Sequence, residues 1–204
     1  MKISKIRAAV TKALDPAASV WFTEARQQIA ADRAALARLF PAVGRKCGRG
    51  QLWTDDPELI GWTIDDAVRA LLLVGASIED VTAVYNYGDA AERRAVLRAL
   101  PLLELGDAAV PLVLDALRTN DTRLIAAALG PYAAEHLPAD AWRQAVLKCV
   151  FLGIPLAWVS DLERRKDDEL VRMMRAFAEE RIAAGRPVPP DVLMIVPDLR
   201  GEEG

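Results

Sequence analysis

The sequence predicts an all-α protein, and three observations carry that prediction. Ala and Leu dominate, with 36 Ala and 26 Leu making up about 30% of the 204 residues, a composition that tilts toward helix. Apolar residues recur at helical spacing along most of the chain, separated by short breaks that hold Asp, Ser, Thr, Gly or Pro. No stretch alternates apolar and polar with the period of two that marks a strand. From Ile64 onward the helices are about 11 to 17 residues long and pair into a period of roughly 35 to 40, the spacing of HEAT-like or related repeats. The expected architecture is an irregular α-solenoid or HEAT-like helical array, with an irregular helical bundle as the alternative.

A single domain over 1–204 is expected, in four stretches. Residues 1–43 read as N-terminal helices. A short one lies near Ile3–Leu14; then Asp15 serves as cap with Pro16 at the first helical position. Ala18, Trp21, Phe22, Ala25, Ile29, Leu36 and Leu39 continue at helical spacing, and Pro41 is expected to stop that helix. Residues 44–61 read as a loop, basic through Gly44–Gly50 and acidic after it.

Residues 62–186 read as the helical-repeat-like core. Thr63 with Asp66, Ser77 with Asp80 and Asp89 with Glu92 have capping-box spacing and open helices over Ile64–Val74, to about Tyr85, and over Ala90–Leu100. Asp107 is expected to cap Ala108–Arg118, and Asp121 to cap Thr122–Leu129 before the Gly130-Pro131 break. Pro138–Leu152 is apolar round most of its circumference and ends at Gly153. Pro155–Ser160 reads as a short turn of helix, and Asp167 caps Asp168–Ala184 with Gly185 as its stop. Residues 187–204 form a proline-rich tail whose apolar patch, Val192–Val196, is expected to pack as an extended cover before the chain frays.

Composition narrows the function. The net charge is −3 and the pI about 5.3, so no nucleic-acid partner is expected, because duplex binding rests on a basic excess. No run reaches the ~18 to 20 apolar residues of a membrane span, and the basic start, Met1–Arg7, has no apolar leader core behind it. The two cysteines, Cys47 and Cys149, lie far apart and fit a reduced, cytoplasmic setting. His136 is the one histidine, and no nucleotide, metal or triad signature occurs. No catalytic residue, metal or cofactor is expected. Lys2, Lys5, Arg7 and Lys12 could rest a first helix on an anionic membrane, although a solvated helix is the favoured reading.

Polar residues on apolar helices are the candidates for binding. On Pro138–Leu152 the polar arc carries Arg143, Gln144 and Lys148. If that helix is central, Lys148 needs a carboxylate, carbonyls or a ligand, since an unpaired buried ammonium is too costly. Arg181 sits at the edge of the apolar face Leu170, Met174, Phe177, Ala178 and Ile182, with Glu180 beside it, where an arginine forks onto a carboxylate or helix-end carbonyls. Arg118 and Asn120 mark a helix end meeting a helix start. In the loop, Arg45, Lys46 and Arg49 among glycines could cradle an anion. The plain alternatives are ion pairs, caps and solvated stripes. The carboxylates Asp55, Asp56, Glu58, Asp65 and Asp66 fit helix starts better than a paired acid–base site.

Several of these residues fall in an ordered set of motifs. Tyr87-Gly88-Asp89 with Glu92-Arg93 is followed by Leu97–Leu103, Arg118-Thr119-Asn120, Pro131-Tyr132, Trp142-Arg143-Gln144, Val146-Leu147-Lys148 and Phe151. Leu162, Arg164, Glu180-Arg181 and Ala183–Arg186 complete it, and Arg45–Arg49 matches a basic loop. In this order and spacing, over roughly 45–196, the chain resembles the EboA-domain family. It departs at Gly130 and Arg143, where that family has Asn, and at Glu179 and Ile182, where it has His and Trp. The resemblance implies one component of a bacterial gene cluster tied to making or exporting secondary metabolites. The other components include a prenyltransferase-like membrane protein and a metal-dependent hydrolase.

The expected function is a non-catalytic accessory or interaction protein of such a pathway. A helical groove lined by Arg118, Asn120, Tyr132, Gln144, Lys148, Arg181 and Arg186 would bind an anionic or polar metabolite, or another protein of the same cluster. The alternative is an enzyme with Lys148 as base or amine nucleophile, assisted by Tyr132 and Glu180. A DNA-binding helical repeat is a distant third.

Overall fold

The computed structural model describes residues 2–201. Among them the chain is all-helical, with thirteen α-helices and no strand; the one extended pairing is an isolated antiparallel bridge from Gln51 to Thr63. It divides into two compact units, one up to Leu112 and one from Val113.

The first unit holds α1 (Ile3–Ala13), α2 (Pro16–Ala31), α3 (Ala35–Lys46), α4 (Ile64–Leu73), α5 (Ile78–Tyr87) and α6 (Ala90–Ala99). Asp15 caps α2 by accepting from the Ala18 N–H. The three capping boxes open α4, α5 and α6 with both arms formed, Thr63 with Asp66, Ser77 with Asp80 and Asp89 with Glu92. α4 is buried from Asp65 to Leu73 and packs against α1, α2, α3 and α6.

Helix α7 (Val110–Arg118) begins at the end of the first unit and runs into the second. The second unit continues with α8 (Thr122–Ala128), α9 (Pro131–His136), α10 (Ala139–Leu152), α11 (Leu162–Arg165), α12 (Asp168–Ala183) and α13 (Val192–Ile195). Its core joins Trp142, Val146, Cys149 and Val150 of α10 to Leu170, Met174, Phe177 and Ala178 of α12. Asp191 accepts from the Leu156 N–H, and Val192 and Ile195 behind it are buried.

Several boundaries differ from the sequence expectation. The helix expected to run to Leu39 breaks at Asp32, whose carboxylate takes the Ala34 N–H, and α3 continues through Pro41. Proline removes the bond to the Ala37 carbonyl, and Ala37 and Pro41 are both exposed, so solvent is at hand for the group the proline leaves bare. Gly44–Lys46 therefore belongs to α3, and the irregular stretch is shorter. It is also pinned: Leu52 N–H donates to Trp62 O and Ile64 N–H to Gly50 O, with Leu52, Leu59 and Trp62 buried. A short 3-10 turn, Gly106–Ala109, precedes α7, which starts at Val110 and not at Ala108. The break after Gly130 is a helix start, with Pro131 in the first turn of α9. On α10, Phe151 is 62% exposed, so that helix buries one face and not most of its circumference. Ile182 is likewise exposed, off the buried face of α12. The tail patch forms α13 and not an extended cover; the expected fraying at 202–204 lies outside the described residues.

Candidate functional site

In the second unit the polar residues singled out by periodicity are held by their own chain or turned outward. The half-buried Lys148 ammonium donates to the carbonyls of Leu117 at 2.8 Å and Thr119 at 2.6 Å. It closes the C-terminal end of α7, where bare carbonyls and the helix dipole favour a cation. Arg118 is 73% exposed at its side chain and pairs with Asp115; Asn120 and Gln144 are exposed. Tyr132 is buried, its ring centroid 4.5 Å from that of His136. Arg181 donates to the Pro187 carbonyl at 2.7 Å and lies 5.7 Å from the Phe177 ring centroid, while Glu180 and Arg186 are exposed. Trp142 carries the Arg165 guanidinium over its face at 4.8 Å, and Arg165 itself donates to the Ala133 and Leu137 carbonyls.

In the first unit Arg45 and Lys46 project from the last turn of α3 into solvent. The exposed Arg49 side chain lies across Gly44, where a Cβ would sit 2.5 Å from its Nε. The structure thus groups Lys148 with the α7 end that carries Arg118 and Asn120, and Arg181 with the turn that carries Arg186.

The arrangement with binding chemistry lies elsewhere in the first unit. A hollow of about 170 Å3 is lined by Arg7 of α1, Arg26, Ile29 and Ala30 of α2, Arg33 just beyond α2, and Leu71, Leu72 and Val74 at the end of α4. Positions 26, 29 and 30 share one side of α2 by helical spacing, and Arg33 follows the extended residue Asp32 that ends the helix. Every polar side chain in this lining is an arginine. Arg33 is anchored, donating to the Gly75 carbonyl and lying 3.7 Å from the Asp80 carboxylate. The Arg26 guanidinium is 5.8 Å from the Phe22 ring centroid. Neither Arg7 nor Arg26 makes an ion pair among the described residues. A lining of three arginines and five apolar residues suits an anion better than a cation.

The helix that supplies the floor is itself fixed by buried charges. Arg69 is wholly buried and donates to Asp65 at 2.6 Å and to the Phe40 carbonyl, with Glu92 at 3.6 Å. Asp66, also wholly buried, receives Arg94 at 3.1 Å and Arg98 at 2.6 Å besides closing its capping box. Three carboxylates meet three guanidiniums, so the cluster is neutral and ties α4 to α6. Burial holds Arg98 below its ordinary value even beside Asp66. The sequence reading placed Asp65 and Asp66 at a helix start, which they are, and missed their partners. It missed the hollow too, since Arg33 lies past the break at Asp32 and Arg7 comes from another helix.

Among the described residues no group of three His, Cys, Asp or Glu is placed to hold a metal ion. Both cysteines are free and buried, which pushes the Cys47 thiol up to about 11 and the Cys149 thiol to about 12. Among the described residues no helix is long and apolar enough to cross a membrane.

Compared with known proteins, residues 2–197 match a family model described as metabolite traffic protein EboA. No curated protein and no solved structure matches the chain.

Proposed function

The chain belongs to the EboA metabolite traffic family, and from that premise we propose that it binds a small anionic metabolite without transforming it, in the hollow between α1, α2 and α4. The carrying observation is the lining itself: Arg7, Arg26 and Arg33 are its only polar side chains. Arg7 and Arg26 form no ion pair among the described residues. Cations that border a shared apolar surface are stabilised by an anion that neutralises them.

The enzyme alternative loses ground on the same geometry. Lys148 Nζ is engaged by two carbonyls at the end of α7, which favours a structural role there. The exposed Arg45, Lys46, Arg49, Arg118, Asn120, Gln144, Glu180 and Arg186 remain as a surface for another protein of the same pathway. The family match runs continuously across both compact units, which supports treating the chain as one functional domain. Within the first unit, four helices about α4 favour an irregular bundle over a HEAT-like stack. A cytoplasmic location agrees with the free, buried thiols.

NMR of the 15N-labelled chain titrated with benzoate tests the reading. Saturable shifts are expected at Arg7, Arg26, Arg33 and Ile29, and the double variant Arg7→Gln/Arg26→Gln should lose them while remaining folded. Equal binding by that variant, or no saturation in the wild type, defeats the proposal.

A further inference from the structure

We infer that the ligand class of the α1–α2–α4 hollow is a small amphipathic anion, one carboxylate or phosphate head joined to an apolar body. This rests on the anion-binding reading above and narrows it. The lining divides into two chemistries with nothing between them. Arg7, Arg26 and Arg33 supply N–H donors; Ile29, Ala30, Leu71, Leu72 and Val74 supply hydrocarbon. No side-chain hydroxyl, amide or carboxylate belongs to it. A sugar phosphate would bring hydroxyls whose acceptor and donor needs the apolar floor leaves unmet, and an amino acid would set its ammonium among guanidiniums. An anion with a hydrocarbon body meets both halves.

The geometry also orients it. Arg33 is committed to the Gly75 carbonyl and to Asp80, so it serves as a fixed wall. Arg7 and Arg26 are left to fork onto the head group, and the Phe22 ring beneath Arg26 steadies its plane. The body then lies on Ile29, Leu71 and Leu72, which are buried and cannot turn away. The volume sets the size. About 170 Å3 is close to the ~150 Å3 cavity that accepts benzene, so the seated part is a six-carbon body or a single ring.

Calorimetric and NMR titrations of the full chain with hexanoate, hexyl phosphate, acetate, inorganic phosphate and 1-hexanol test the inference. Hexanoate or hexyl phosphate should saturate, shifting the Ile29, Leu71 and Leu72 methyls, with the tighter of the two naming the head. Acetate and inorganic phosphate should bind at least tenfold more weakly, and 1-hexanol should not saturate. Ala30→Glu, at an exposed lining position, should abolish hexanoate binding by pairing with the arginines. If acetate and inorganic phosphate match the hexyl anions and Arg7→Gln/Arg26→Gln loses them all, the anion site stands and the amphipathic class falls. If 1-hexanol matches hexanoate, or no probe saturates, both fall.

Discussion

The Lys148 ammonium donates to the Thr119 carbonyl at 2.6 Å, so a side chain of α10 closes the open end of α7. With the Leu117 carbonyl at 2.8 Å, one cation satisfies two acceptors that the helix leaves bare. Lys148→Met keeps most of the packing and removes both charge-assisted bonds. A loss of about 1 to 3 kcal/mol is expected, read as a lower urea midpoint with unchanged slope. Anion binding in the first unit should be unaffected. An unchanged midpoint would mean the clamp contributes nothing; lost binding would return Lys148 to the site.

Arg69 presents a sharper case because it has no access to water. Its guanidinium is the partner of Asp65 and lies beside Glu92, both buried. Arg69→Met leaves two carboxylates with one fewer counter-charge in the core, which costs about 3 to 5 kcal/mol. The double variant Arg69→Met/Asp65→Leu removes a charge of each sign and should recover part of that loss in the same thermal-melt comparison. Equal stability of the single variant and wild type would show that water reaches the cluster.

How much of this was readable from the chain depends on how local the cause is. The capping boxes at Thr63, Ser77 and Asp89 were legible because both partners lie within four residues. The break at Asp32 was not: its carboxylate satisfies a backbone group two residues on, yet the apolar spacing runs through it undisturbed. Lys148 was legible as a need, for a carboxylate, carbonyls or a ligand, and only the position of the α7 end selects carbonyls. Asp66 shows the limit. Its cap partner is three residues away, its arginines 28 and 32 residues away, and no periodicity links them. The arginine hollow draws on α1, α2 and α4, so it exists only once those helices have packed.

The two thiols give a chemical check on burial. Desolvation pushes Cys47 up to about 11 and Cys149 to about 12, and the thiolate is the reactive form. At pH 8 both should react with an aromatic disulfide reagent far more slowly in the native chain than in urea. Cys149 should be the slower, since its side chain is the more enclosed. Rapid native labelling of Cys149 would contradict the packing of α10 against α12.

Asp167 provides the pH test. Its carboxylate accepts the Leu170 N–H at 3.0 Å and the Arg143 guanidinium at 2.7 Å. The backbone bond first, with Arg143 adding to it, holds its pKa below the ordinary aspartate value. A lowered folded pKa means that the unfolded chain binds the proton more readily, so the stabilisation is complete above about pH 5 and is lost as pH falls through the folded value. Asp167→Asn keeps an oxygen for the α12 cap and cannot ionise. The stability difference between wild type and variant should therefore be constant from pH 8 to about pH 5, then shrink toward zero below about pH 4. Urea unfolding at fixed ionic strength across that range reads it directly, and a difference that persists undiminished at the acid end would assign the cap's contribution to geometry and not to charge.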